Sequence, residues 1–474
     1  MRRISMTLAL LAAIAAAACA PAGDDGGAKH ERHPRHAKEA AKPAAMRAKE
    51  APDEAPRTVE IAAPKPGGGG DVVVARYEVE KLDPVLEEMR ARDEKWKKDE
   101  GTATGKIKDA ADAKKEKERK EKLVLASGLP ADQRPASLAE FHSIWHQPPQ
   151  PQYMTGTCWS FATASFLEAE AKRIKGREVK LSEMANVYWE YVAKARRYLE
   201  QRGDSTFEEG SEGNAFVRLW KEHGAWPEAA YPGVAWKDGR HDHQRMVRDL
   251  KAVLAGAAAG AIWDPGTVLP MARVVLDRDL GAPPERFEID GQETTPAAFM
   301  KDGLGIDPDA YVSFVSTLKK PFYEQVEFEV PDNWWHDATY RNVPLDEFYA
   351  GLKGAIAAGY GVSIAMDVSE PGKDWRDSAM FVPDYDIPPD RIDQLARELR
   401  LEDGTTTDDH GLHVVGWTER AGHDWFLVKD SGRSSRWAAP EGYYFVRDDY
   451  VRLKVLAYVV HRDAVRALLA KFKG

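Results

Sequence analysis

Two cysteines occur in the 474 residues, Cys19 and Cys158, and the second stands in Gln152-Tyr153-Met154-Thr155-Gly156-Thr157-Cys158-Trp159-Ser160-Phe161-Ala162. A cysteine with no partner downstream is either an inert packed side chain or a nucleophile. The apolar run that opens at Cys158 continues to Leu167 and is followed by Lys172, Arg173, Lys175 and Gly176. That pattern predicts a helix with cations at its C-terminal end and a glycine stop. The thiol then sits at the helix N-terminus, where the dipole and unpaired amides favour a thiolate, the attacking form. Gln152 precedes it closely enough to aim a side-chain amide at the same point. With the Cys158 backbone amide, that makes two donors for a developing oxyanion. The opposing reading has Cys158 packed inertly beside Trp159 and Phe161.

A thiolate nucleophile needs a base, and the base needs an orienter. The chain offers Asp409-His410-Gly411-Leu412-His413-Val414-Val415-Gly416-Trp417 and then Asp424-Trp425-Phe426-Leu427-Val428-Lys429-Asp430-Ser431-Gly432. Both are short β-rich runs bounded by polar residues and glycine, the signature of neighbouring strands in a hairpin. One strand presents His410 and the other Asp430, whose carboxylate can accept the imidazole N–H and fix its tautomer. His413 falls on the opposite side of its strand. His423 lies in a turn and is expected to be solvated.

The elements that must hold these groups occupy only part of the chain. Met1-Arg2-Arg3, an apolar run from Thr7 to Ala18, and Ala16-Ala17-Ala18-Cys19 have the layout of an export signal over residues 1–18. The run is too short to span a bilayer as a helix. Small residues before Cys19 resemble a bacterial lipoprotein box, although Ala16 replaces the usual leucine, and a lipidated Cys19 would anchor the protein to a membrane. The expected location is therefore outside the cytoplasm, membrane-anchored and facing the periplasm. A free thiol retained in such an oxidising setting raises the case for chemistry at Cys158.

Residues 19–70 read as the lipidated cysteine followed by a disordered tether of Ala, Pro, Gly, Lys and Glu, too poor in large apolar residues to fold. His30, His33 and His36 lie in it without the acidic or thiol partners that fix a metal geometry. Residues 71–136 form a charged helical extension opening at Asp83-Pro84, interrupted between Gly101 and Gly105, with mixed signs at helical spacing that indicate a solvated face. Residues 137–474 are the globular domain. With 43% hydrophobic residues and 14 tryptophans the chain can bury a substantial core. The net charge of -10 argues against a nucleic-acid partner.

With those motifs in place, the chain resembles the papain-like cysteine peptidases, and among them the bleomycin hydrolase and aminopeptidase C group. Gln152 to Ala162 matches the family's Gln-x-x-x-x-x-Cys-Trp-x-Phe nucleophile motif. Asp409-His410 with Gly416 matches the histidine motif, and Trp425 to Ser431 matches the Trp-x-x-x-Lys-Asn-Ser segment, in the right order. Leu181-Ser182-Glu183, Glu222-His223-Gly224 and Tyr231-Pro232 resemble further landmarks. A large helical insertion at about 234–341, Asn342-Val343-Pro344-Leu345, and Gly442-Tyr443-Tyr444-Phe445 point to the bleomycin hydrolase branch. The resemblance spans about Phe141 to Phe472.

The resemblance implies an α+β papain-like fold, with a helical half carrying Cys158, a β-rich half carrying His410 and Asp430, and the cleft between them. It implies Cys158 as nucleophile, His410 as base and then acid, and Gln152 as oxyanion donor, hydrolysing peptide or protein substrates through a thioester with no metal or organic cofactor. Asp430 departs from the family's asparagine, and Gly432 replaces a tryptophan that shields the histidine–orienter bond. The C-terminal arm that confines the group to exopeptidase cleavage looks shortened at Lys471-Phe472-Lys473-Gly474, so aminopeptidase and endopeptidase action both stay open. Trp159, Gly210 and Gly213 are the expected substrate-binding positions, and the group's hexamers allow an oligomer here. The reading from another class is a membrane-tethered binding or scaffold protein that kept the fold and lost turnover.

Overall fold

The structure, a computed structural model, describes residues 84–121, 123, 125, 127–233, 240–370, 372–437 and 439–472. Cys19, the histidines of the tether and the expected signal segment lie outside the described residues. By contacts the chain divides into two units, residues 1–117 and 118–474. The first contains most of a 38-residue helix, Pro84–Glu121, which runs unbroken through Gly101 and Gly105 where the sequence predicts an interruption. A helical glycine costs only about 1 kcal/mol against alanine, and i,i+4 pairs such as Lys97 to Asp93 at 2.7 Å work in the other direction. No helix among the described residues is long and apolar enough to cross a membrane.

The second unit pairs a helical layer with a large sheet. Glu183–Glu200 packs on the Cys158–Lys175 helix, and Ala215–His223, Gln244–Ala259 and Pro265–Asp279 pack around Glu183–Glu200 in the same apolar core. Ser182 caps the helix Glu183–Glu200, accepting the Ala185 N–H at 3.0 Å. The sheet follows the order Gln325–Val326, Tyr340–Asn342, Tyr311–Val315, Val455–His461, Val362–Met366, His410–Arg420, His423–Lys429, Tyr443–Arg447, Ala379–Met380, Lys373–Asp374. A separate apolar core joins it to the helix Leu345–Ala357.

The expected hairpin is present, with Trp417 paired to Phe426 and Thr418 to Trp425. Its turn places both Ala421 (φ 52°) and Gly422 (φ 79°) in the left-handed region, which matches the twist of the strands it joins. The long helices of the insertion lie in its first half. Its second half supplies Tyr311–Val315, buried at every position, which pairs with Val455–His461 and extends the sheet. A run of β-branched and aromatic residues covered on both faces reads as a continuous apolar stretch without alternation.

Candidate active site

Cys158 is the first residue of the helix Cys158–Lys175, and Gly176 ends it at φ 68° with its N–H on the Lys172 carbonyl. Thr157 precedes the helix without capping it: its hydroxyl bonds to the Thr155 hydroxyl at 2.7 Å. The first-turn amides are thus left without a side-chain cap, as an anion site at a helix start requires.

The histidine comes from the sheet. His410 opens its strand, and its Nε2 lies 2.6 Å from Asp430 Oδ1, just beyond the end of the neighbouring strand. This leaves Nδ1 as the ring nitrogen for Cys158, whose charge acts on the imidazole. Burial opposes the His410 charge, but Asp430 and Cys158 outweigh it and hold the imidazole well above its usual range. Asp430 is likewise opposed by burial and kept below its usual value by His410 and the Gly432 N–H. Both shifts favour the ionised pair.

The two glycines nearest the pair are there because nothing larger fits. A Cβ on Gly411 would lie 2.9 Å from the Trp159 Cα and 3.0 Å from its nitrogen, so the histidine strand and the cysteine helix meet backbone to backbone. Gly432 donates its N–H to Asp430 Oδ1 at 2.7 Å, and a Cβ there would come within 3.1 Å of both Asp430 oxygens and 3.2 Å of His410 Nε2. The position of the missing tryptophan is therefore filled by main chain that itself bonds the orienter.

Gln152 is fastened on two sides. Its Oε1 accepts from the Ser431 hydroxyl at 2.8 Å and its Nε2 donates to the Thr155 carbonyl at 2.8 Å, which leaves one N–H uncommitted. It lines a cleft of about 1090 Å³ together with His410, Asp430, Lys373, Trp375 and Trp437.

Trp159 does not serve as expected. Its side chain is 2% exposed, sits in the helical core and donates Nε1 to the Glu209 carbonyl at 3.2 Å, so it presents no surface to a substrate. Gly210 is covered by the Asp332 carboxylate, and Gly213 packs on Ser363 and Val459 while its carbonyl accepts from the Thr163 hydroxyl at 3.1 Å. The segment between them is held by Ser211 on Glu190 (2.6 Å) and by Lys194, which donates to the Glu208 carbonyl at 2.7 Å and to Gly210. His413 is buried on the far face, bonded to Ser165 at 2.8 Å and kept neutral by burial. His423 is not simply solvated but faces Asp448 at 2.9 Å.

Sequence reasoning missed three groups. Glu209 accepts the Gly156 N–H at 2.9 Å while its carbonyl holds Trp159, so one residue steadies both flanks of Cys158. Glu212, which is buried, and Asp408, which is half-buried on a cavity wall, form an acid pair near Cys158 and His410. Only the acidic residues flanking the Gly210–Gly213 segment hinted at them.

Asp430→Asn tests how the pair is poised. The raised His410 value means the imidazolium persists above its usual range, so removing the Asp430 charge moves its titration down. NMR of the His410 ring should record that fall, and an unmoved titration contradicts the assignment of Asp430 as its charge partner.

No protein-family model and no curated sequence matches the chain. Among solved structures, PepW from Lactobacillus rhamnosis superposes with a TM-score of 0.58 over 78% of this chain and 93% of its own, at 18% sequence identity. What the chain shares with PepW is its mixed helix-and-sheet fold.

Proposed function

We propose that the chain is a papain-like cysteine peptidase in which Cys158 attacks the substrate carbonyl, His410 exchanges the proton and Asp430 orients His410. The observation that carries this reading is the 2.6 Å His410 Nε2–Asp430 bond with the other face of the ring turned to a thiol at an uncapped helix start. Attack by the thiolate forms a tetrahedral oxyanion for the Cys158 amide and the free Gln152 N–H. The His410 imidazolium then gives its proton to the leaving amine, and the C–N bond breaks to a thioester. Water, deprotonated by His410, hydrolyses the thioester and frees the thiol. In this reading Cys19 carries the membrane anchor and the residues before the fold act as a spacer.

The test uses the full chain on two fluorogenic peptides, one with a free N-terminal amine and one N-acetylated. Cleavage of the free-amine peptide alone identifies an aminopeptidase, and cleavage of the blocked one an endopeptidase. Cys158→Ala should abolish either. No cleavage of either peptide by a folded protein overturns the reading and leaves a binding protein.

A further inference from the structure

Two cavities open on either side of the segment that ends in His410. The larger takes in Gln152 and His410, and a second of about 330 Å³ opens beside Asp408, walled by Val315, Phe328 and Leu456 with Lys319, Lys320 and Glu398 at its polar side. Asp408 precedes His410 by two residues, so the loop that leads into the His410 strand delivers this carboxylate. Glu212 reaches the same place from the helical layer. Its side chain is 3% exposed, Oε1 has no hydrogen-bond partner among the described residues, and its carboxyl feels the charges of Asp408, Asp332 and Cys158.

A buried carboxylate without a counter-charge is among the costliest arrangements a protein can hold. No ion pair joins Glu212, Asp332 or Asp408 to a Lys, Arg or His among the described residues. The cations that face the three acids are His410, whose charge acts on Asp408, and Lys194, whose charge acts on Asp332 while its ammonium donates to the Glu208 and Gly210 carbonyls; Lys319 and Lys320 on the wall of the second cavity are paired with Glu402 and Glu329. In the free protein the charge is relieved by protonation instead. Burial, with the neighbouring acids, holds Glu212 well above the usual carboxylate range and Asp408 at about 7.

We propose that Glu212 and Asp408, with Asp332 beside them, form a subsite that binds a protonated amine of the substrate next to the scissile bond. The amine supplies the missing positive charge, and the acid pair releases its shared proton as the amine enters. Two sources offer that group, the α-amine of a peptide N-terminus and a lysine side chain within a blocked peptide. The proposal rests on the peptidase reading for the nature of the ligand, but not for the presence of the site.

The test therefore has one arm that needs no turnover. Cys158 of the full chain is modified with 2-aminoethyl methanethiosulfonate and with neutral methyl methanethiosulfonate, and both rates are followed on the Cys158 peptide by mass spectrometry. The cationic-to-neutral rate ratio should fall at least tenfold in the E212Q/D408N double variant, and in part in each single variant should the double one not fold. An unchanged ratio in a folded variant overturns the proposal. In the second arm, the double variant should raise KM for a free-amine peptide, which assigns the α-amine, or for an N-acetyl-lysyl peptide relative to its norleucyl isostere, which assigns the side chain. A fallen ratio with no cleavage of any peptide by the wild type retains the amine site and rejects the peptidase.

Discussion

His410→Ala should slow iodoacetamide modification of Cys158 on the order of 100-fold near pH 6 and lower kcat/KM by about 10³-fold or more, since general acid–base groups are worth 10²–10⁴. Two effects combine. Without an imidazolium beside it the thiolate loses its charge partner, which shows in the alkylation rate, and without a proton donor the leaving amine cannot depart, which shows only in turnover. The imidazole is buried and its Nε2 is already committed to Asp430, so no water replaces it in the same geometry. The pH profile of alkylation separates this outcome from a structural one: the variant should regain reactivity at high pH, where the lone thiol ionises. A rate independent of His410 at every pH would make Cys158 an ordinary packed thiol.

The second large effect concerns the frame. Arg397 is fully buried, and its guanidinium donates to the carbonyls of Ser316 (2.9 Å), Arg452 (3.0 Å) and Leu456 (3.1 Å). Burial, against a small opposing contribution from Glu398, lowers its value to about 10. One side chain thus ties the helix Gln394–Glu402 to the ends of two sheet elements, and that helix feeds the loop that delivers Asp408 and His410. Arg397→Ala leaves three buried carbonyls unpaired and opens a cavity, a loss of about 3–5 kcal/mol. Urea denaturation should show the fall in midpoint. Arg397→Lys should recover only a minority of it, because a point ammonium cannot reach three diverging acceptors. A variant as stable as the wild type would remove Arg397 from the frame.

The parts of the site that were legible in the sequence are those set by local chain. Cys158 at a helix start follows from the apolar run and the Gly176 stop, and the His410–Asp430 bond follows from two adjacent strands joined by a tight turn. Trp159 was misjudged because a tryptophan beside a nucleophile looks the same in sequence whether it faces the cleft or the core; the Glu209 carbonyl that turns it inward lies 50 residues away. Glu212 and Asp408 are unremarkable acids until the fold brings them together, and no local signal marks long-range pairing of like charges. The helix through Gly101 and Gly105 shows that a weak local preference yields to continuity of backbone hydrogen bonds. The strand Tyr311–Val315 in the insertion was hidden because a strand paired on both sides and buried at every position leaves no alternation to read.

The contact at Gly411 has a mechanical meaning. The helical layer and the sheet touch main chain to main chain where the Cys158 helix begins and the His410 strand passes it, so the spacing of thiol and imidazole is gauged by backbone and not by side chains that could repack. A side chain added at Gly411 would act as a wedge between the two layers, and the thiol and the imidazole would separate while each layer kept its own shape.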